Sequence, residues 1–247
     1  MTPHRVFISL LAGLFALALA ACTGGARAGT DPAKAFPDPR AAELARAIAD
    51  DDGERLRQLT QAGADLSVRG QADFTLLQWA MLHDRPRMLA LLLDLGADPA
   101  QIGYGRQTAL HTAAMAKRKP FLQILLDHGA NPDLVDGRTG ASTLSEAVES
   151  RNPDAVRLLL ARRANPNLAN RQGETPLHTA ALVNDYPGML VLLDAGADPR
   201  RRDKLGKTFL AYFNVQPKES LLSGEVKRAR QSVRDWLNRN GYQDLTP

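Results

Sequence analysis

Thr175-Pro176-Leu177-His178-Thr179-Ala180-Ala181, closed by Ala195-Gly196-Ala197-Asp198, is the stretch on which the reading of this 247-residue chain turns. The closing tetrad recurs upstream as Gly63-Ala64-Asp65, Gly96-Ala97-Asp98, Gly129-Ala130-Asn131 and Arg163-Ala164-Asn165, at steps of 33, 33, 34 and 33 residues. The opening keeps the same step, as Thr75-Leu76-Leu77-Gln78-Trp79-Ala80, Thr108-Ala109-Leu110-His111-Thr112-Ala113 and Ser142-Thr143-Leu144-Ser145-Glu146-Ala147. A period of this length is the mark of a repeat architecture.

Each unit reads as a pair of helices. Thr or Ser caps the first helix by accepting a free backbone N–H, and Pro176 sits in the first turn, where its missing N–H costs nothing. The first helix is short and Ala-lined, so a neighbour approaches closely. The second carries a Leu face, as in Leu89-Ala90-Leu91-Leu92-Leu93, Phe121-Leu122-Gln123-Ile124-Leu125-Leu126 and Val156-Arg157-Leu158-Leu159-Leu160. Gly ends it in a left-handed conformation that pairs the last carbonyls. Pro86, Pro120, Pro153 and Pro187 all fall near the start of a second helix, where proline is tolerated. One pair cannot cover its own Leu face, so the units must stack.

With these openings and returns the sequence resembles the ankyrin repeat. The resemblance implies an all-α solenoid of stacked helix pairs with short β-hairpin turns, about five to six repeats long. A composition 44% hydrophobic and 23% charged suits a folded protein and argues against disorder. The order read from the chain is a signal segment over 1–21, a flexible tether over 22–39 and a capping repeat over 40–67. Four repeats follow over 68–199, then a capping repeat and helix over 200–247, all in one elongated periodic domain. In the last piece Val226, Val233, Trp236 and Leu237 are expected inward, and Lys227, Arg228, Arg230 and Arg234 outward, after an insertion around 216–224.

At the N-terminus, His4-Arg5 followed by an apolar run from Val6 to Ala21 has the build of a secretory signal. Leu19-Ala20-Ala21-Cys22 resembles the lipobox of bacterial lipoproteins, in which the Cys is diacylated and becomes the new N-terminus. Cys22 is also the single cysteine, so it has no disulfide partner within the chain. Thr23, where the resembling lipoproteins place Asp to stay in the inner membrane, implies an outer-membrane location facing the periplasm. The expected attachment to the bilayer is by lipid and not by a spanning helix.

Charge is uneven. Residues 22–66 carry 6 basic and 8 acidic side chains, whereas residues 200–247 carry 11 basic and 5 acidic ones. A basic end suits an acidic partner or anionic headgroups. Nucleic acid is not expected behind an export signal, with no aromatic platform beside the arginines.

No nucleophile elbow, phosphate loop or metal-ligand spacing is present, so no catalytic residue, cofactor, metal or small-molecule substrate is expected. The resemblance implies that His111 and His178 bond backbone near their own turns. Function is therefore expected from surface: a protein partner in the periplasm, bound to the concave face that aligned turns and first helices form. The protein itself would be a monomer or part of a hetero-complex. The turns offer Tyr104, Gln107, Arg138, Thr139, Arg171 and Gln172, then Glu174, Lys204 and Lys207. The ends of the first helices add His83, Met115, Glu149, Leu182 and Val183, where apolar Leu182-Val183 occupies a normally polar spot. The expected role is a non-enzymatic scaffold or chaperone-like lipoprotein; the alternatives are an immunity protein that neutralises a delivered toxin such as a lipase and, more remotely, a hydrolase.

Overall fold

The computed structural model describes residues 31–117, 120–213 and 223–245, and the segment expected to be an export signal, with Cys22, lies outside them. The chain forms two compact units, 1–98 and 99–247. The first holds α1 (Pro32–Ala35), α2 (Pro39–Ala49), α3 (Gly53–Gln61), α4 (Leu76–Leu82) and α5 (Pro86–Asp94). The second holds α6 (Ala109–Met115), α7 (Phe121–Asp127), α8 (Thr143–Glu149) and α9 (Pro153–Ala161), then α10 (Pro176–Leu182), α11 (Tyr186–Asp194), α12 (Phe209–Phe213) and α13 (Gly224–Arg239). The architecture is all-α. Among the described residues the expected hairpins are reduced to two isolated antiparallel bridges, Arg69 to Thr75 and Val135 to Ser142.

Local chemistry sets the ends of these helices. Thr75 and Ser142 accept the N–H of Gln78 at 3.2 Å and of Ser145 at 3.1 Å. Pro86 and Pro153 stand at the first helical residue, Pro187 is one residue in, and Pro120 is the cap itself. At the other end Gly96 has φ +94°, its N–H bonds the Leu93 carbonyl at 3.0 Å, and Ala97 N–H bonds Leu92 at 2.9 Å. Gly63, Gly129 and Gly196 repeat that turn, and Arg163 adopts it at φ +64° without glycine's freedom.

The cores follow the Leu faces. Leu89 and Leu92 are buried in the first unit; Leu122, Leu125, Val156, Leu159, Met189 and Leu192 are buried in the second. Trp79 fills the first unit, fully buried, with its indole N–H on the Ala45 carbonyl at 2.9 Å. Phe36 meets it edge-on, centroids 5.4 Å apart, and is itself fully buried. Residues 31–39 thus differ from a flexible tether: Asp31 caps one helical turn, and Phe36 pins that turn to the core. Gly70 makes room for this segment, since a Cβ there would lie 2.5 Å from the Ala35 carbonyl oxygen.

Helix α13 covers α11 at the C-terminal end, burying Val233 and Leu237. Arg230, expected outward, is buried instead: its guanidinium lies 5.1 Å from the Phe213 ring centroid and reaches the Phe213 carbonyl at 3.5 Å. The ring face and the carbonyl both offer negative charge, which draws the long side chain inward. Trp236 is half-buried and donates its indole N–H to Asp194 at 2.6 Å.

Candidate functional site

In the second unit the first helices α6, α8, α10 and α12 pack side by side in sequence order. The turns leading into them are tied tip to tip: Gly137 N–H bonds the Arg106 carbonyl at 2.8 Å, Arg171 N–H bonds Thr139 at 2.9 Å, and Lys204 N–H bonds Gln172 at 2.8 Å. One polar side chain organises each of the later tips. Asp136 accepts the N–H groups of Arg138 at 2.6 Å and Thr139 at 2.5 Å; Asn170 serves Gln172 and Glu174; Asp203 serves Leu205 and Lys207. The buried Asp136 is held below the usual carboxylate range because its bonds to Thr139 and Arg138 outweigh burial, the largest single effect, which acts the other way.

His111 and His178 are structural, and they reach further than their own turns. His111 Nδ1 lies 2.8 Å from Thr108 Oγ1, while its Nε2 meets the carbonyl of Ala141, one repeat on, at 3.1 Å. His178 repeats this with Thr175 at 2.9 Å and Lys207 at 3.1 Å. A carbonyl only accepts, so Nε2 carries the proton in both. Burial, the largest effect, pushes both imidazoles below their ordinary pKa, and the bonded carbonyls oppose it. Neither ring is presented as a base to solvent.

Several residues expected to contact a partner are engaged within the fold. Thr139 donates its hydroxyl to Asp136 at 2.5 Å and accepts Ala141 N–H at 3.1 Å. The Arg171 guanidinium holds the Gly137 carbonyl at 3.1 Å and that of Arg138. Glu174 accepts the Asn170 amide at 2.8 Å. Val183 lends its carbonyl to Arg151, and its side chain is half-buried. Tyr104 and Gln107 are half-buried in the first turn of this unit, whereas Gln172, Lys204 and Lys207 are exposed on later tips. His83 belongs to the first unit, where its ring packs 4.4 Å from that of Trp79.

What remains is a row. Met115, Glu149 and Leu182 each stand seven residues after their helix caps, so they occupy equivalent ends of three neighbouring helices. Met115 is half-buried, Glu149 is exposed, and Leu182 is 43% exposed. Beside Glu149 sits Glu146, which sequence reasoning does not single out as a site residue. A signal for it exists: four residues after the cap the flanking helices have Thr112 and Thr179, and only this one has a carboxylate. Burial first, then the charges of Glu149 and Asp136, push the half-buried Glu146 carboxyl up to about 7, against Arg138 and a bond to Gln107. Glu149 is exposed as a residue yet desolvated at its carboxyl, which is also raised, with Arg138 pulling the other way. These two acids and one arginine form a polar patch between two apolar side chains.

A family profile of ankyrin repeats in three copies matches residues 44–136 and 129–203. The chain belongs to the ankyrin-repeat family. Among curated proteins it is 43% identical over 65 residues to the ankyrin repeat and LEM domain-containing protein 1 homolog of Caenorhabditis elegans, covering 26% of this chain and 9% of that one. It is 36% identical over 74 residues to a putative ankyrin repeat-containing protein of Treponema pallidum, covering 30% and 25%. The chain thus spans a quarter or less of the length of these curated relatives. Among solved structures, an ankyrin repeat domain from Acinetobacter baumannii superposes with a TM-score of 0.63 at 24% identity over 76% of this chain and 94% of that one. A chain from the structure of a predatory endopeptidase of Bdellovibrio bacteriovorus in complex with an immunity protein gives 0.59 at 24% over 77% and 97%. The ankyrin repeat protein EF0377 gives 0.60 at 25% over 70% and 90%. Repeats of this kind make a protein-binding module. Among the described residues no group of three His, Cys, Asp or Glu is placed to hold a metal ion.

Proposed function

We propose that this ankyrin-repeat protein is a non-enzymatic scaffold of the bacterial cell envelope. In this reading it is exported, lipidated at Cys22 and held at the periplasmic face of the outer membrane, where it takes a protein partner on the first-helix ends of its second unit. The observation that carries the binding reading is the row Met115, Glu149, Leu182. Leu182 is exposed where the fold needs no apolar side chain, and a carboxylate sits between it and the methionine. Apolar contacts around a charge that a partner desolvates are how a small patch gains both affinity and register. The surface therefore fits a partner that brings a Lys or Arg between two apolar groups. Export and lipidation rest on the Val6–Ala21 run and the lipobox-like Leu19-Ala20-Ala21-Cys22. Among the described residues no helix is long and apolar enough to cross a membrane.

The experiment compares partners captured from periplasmic extract by the protein and by its Leu182→Asp, Glu149→Lys double variant, both checked for unchanged helicity and melting. Loss of one specific partner from the variant is the expected result, and equal recovery of every partner by both forms overturns binding by the row Met115, Glu149, Leu182. A second role, immunity against a delivered toxin such as a lipase effector, draws support from the fold shared with the chain of the endopeptidase–immunity protein complex. A stable one-to-one complex with a toxin encoded beside this gene selects that role, whereas loss of a resident enzyme's activity on deletion selects the scaffold. Radiolabelled palmitate incorporated by the native chain and absent from Cys22→Ser is the expected mark of the anchor.

A further inference from the structure

The last finger turn carries side chains that its own geometry does not require. Its backbone is set elsewhere: the buried Asp203 accepts the N–H groups of Leu205 at 2.8 Å and Lys207 at 2.9 Å, and takes the Tyr212 hydroxyl on its other oxygen. Gly206 supplies the left-handed residue at φ +73°, and Lys204 N–H is bound to the Gln172 carbonyl of the preceding finger. That preceding finger makes the same turn, with Asn170 in place of Asp203 and Gly173 at φ +79°. It carries Gln172 where the last finger has Leu205, and Glu174 where the last finger has Lys207. The fold thus accepts polar and acidic residues at these two positions, and the last finger has an apolar and a basic one.

The result is a rigid tip of one chemical kind. Leu205 is 73% exposed, well above Leu182 and Val135, the other exposed large apolar side chains of the described residues. Lys204 and Lys207 flank it, and the exposed Arg201 and Arg202 precede it. The one carboxylate within the turn, Asp203, is buried and committed to the backbone and Tyr212, so it does not face the cations outward. An isolated exposed Leu needs no explanation. A Leu held on an ordered turn with four exposed cationic residues within four positions of it, Arg202 bonded back to the Gly206 carbonyl at 2.6 Å and Lys207 over the Tyr212 ring at 5.7 Å, is different, because it suits an anionic bilayer. The apolar tip reaches the headgroup and acyl boundary while the ammonium and guanidinium groups stay among the phosphates.

We propose that the turn Arg201–Lys207 is a membrane-contact finger that inserts Leu205 into an anionic leaflet. A single exposed apolar side chain, with the neighbouring Tyr212 half-buried beneath Lys207, is too little for the core of a protein interface, which is why lipid is the favoured occupant over an acidic protein. Exposed Lys227 and Arg228 on α13 add to the positive charge of the same unit. The inference goes beyond partner binding by the row Met115, Glu149, Leu182 and involves none of those residues.

The test uses the full chain with Cys22→Ser, so that no lipid is attached, and with Leu205→Cys labelled by the environment-sensitive dye NBD, an apolar group standing in for the leucine side chain. A second form carries the label on Gln172→Cys, the equivalent place on the preceding finger. The dye reports its own surroundings, whatever else of the chain touches the bilayer. Vesicles of phosphatidylcholine are compared with vesicles that also contain phosphatidylglycerol. The expected result is a blue shift and quenching by nitroxide-labelled lipid at 205 on the anionic vesicles alone, with the label at 172 remaining in water. Lys204→Gln and Lys207→Gln are each expected to weaken that docking about five-fold, and raised salt to reverse it. A label at 205 that stays in water on both vesicles overturns the proposal and leaves an acidic protein as the target of this finger. So does a shift that is equal on both vesicles or indifferent to the two lysines. Unchanged circular dichroism of each labelled form shows that the exposed substitutions leave the fold intact.

Discussion

The imidazole of His178 bonds the carbonyl of Lys207 at 3.1 Å, across the boundary between consecutive repeats, while its other nitrogen is held by Thr175. His111 does the same to Ala141. These contacts couple each first helix to the turn of the next repeat, so losing one loosens an interface and not only a cap.

His178→Ala should destabilise the second unit by about 1–3 kcal/mol, through an unpaired Lys207 carbonyl and a small cavity. His178→Gln should cost less, since Gln78 at the equivalent place already accepts Thr75 N–H at 3.3 Å. Both histidines titrate below their ordinary 6.5 in the folded protein, so the unfolded chain binds the proton more readily. Their contribution is full above that value and falls as pH drops through the lower folded value. Urea unfolding between pH 7 and pH 5 should show this acid loss, and His111→Gln with His178→Gln should flatten it.

Glu146 works in the opposite direction. Its carboxyl is raised from 4.5 to about 7, so the folded chain holds the proton more tightly than the unfolded one. Stability from the protonated form is complete below 4.5 and is lost as pH rises through 7. Glu146→Gln should therefore raise stability at pH 8 by on the order of 1–2 kcal/mol, discounted for partial exposure, and change little at pH 4.5. Thermal melts at the two pH values check it; an equal effect at both would remove the role assigned to burial.

Phe36 anchors the start of the first unit against Trp79. Phe36→Ala should cost about 3–5 kcal/mol there, the range for deleting a fully buried aromatic ring. Hydrogen exchange should show α1 and α2 opening first, and Trp79 fluorescence should shift toward that of a solvated indole.

Arg163 occupies the left-handed position that Gly63, Gly96, Gly129 and Gly196 hold in the other repeats. A non-glycine residue in that region is strained by roughly 1–2 kcal/mol, partly offset because glycine gives the unfolded chain more freedom. Arg163→Gly is expected to stabilise the second unit by about 0.5–1 kcal/mol, read as a higher urea midpoint at an unchanged slope.

The repeat, the caps, the proline positions and the Leu faces were legible in the sequence because each depends on contacts within about one turn of the chain: a hydroxyl over the next N–H groups, a glycine past the last carbonyl, an apolar side chain every third or fourth residue. Tertiary structure alone decided the rest. Arg171 looks like a surface residue until the fingers align and draw its guanidinium onto the carbonyls of Gly137 and Arg138. Arg230 looks like a solvated arginine until α12 places the Phe213 ring and carbonyl within its reach. Phe36 reads as part of a tether until Trp79, 43 residues on, gives it a partner, and Glu146 becomes an unusual acid only when helices on either side desolvate it. In each case the deciding partner lies on another element, and local pattern carries no record of a distance that folding closes.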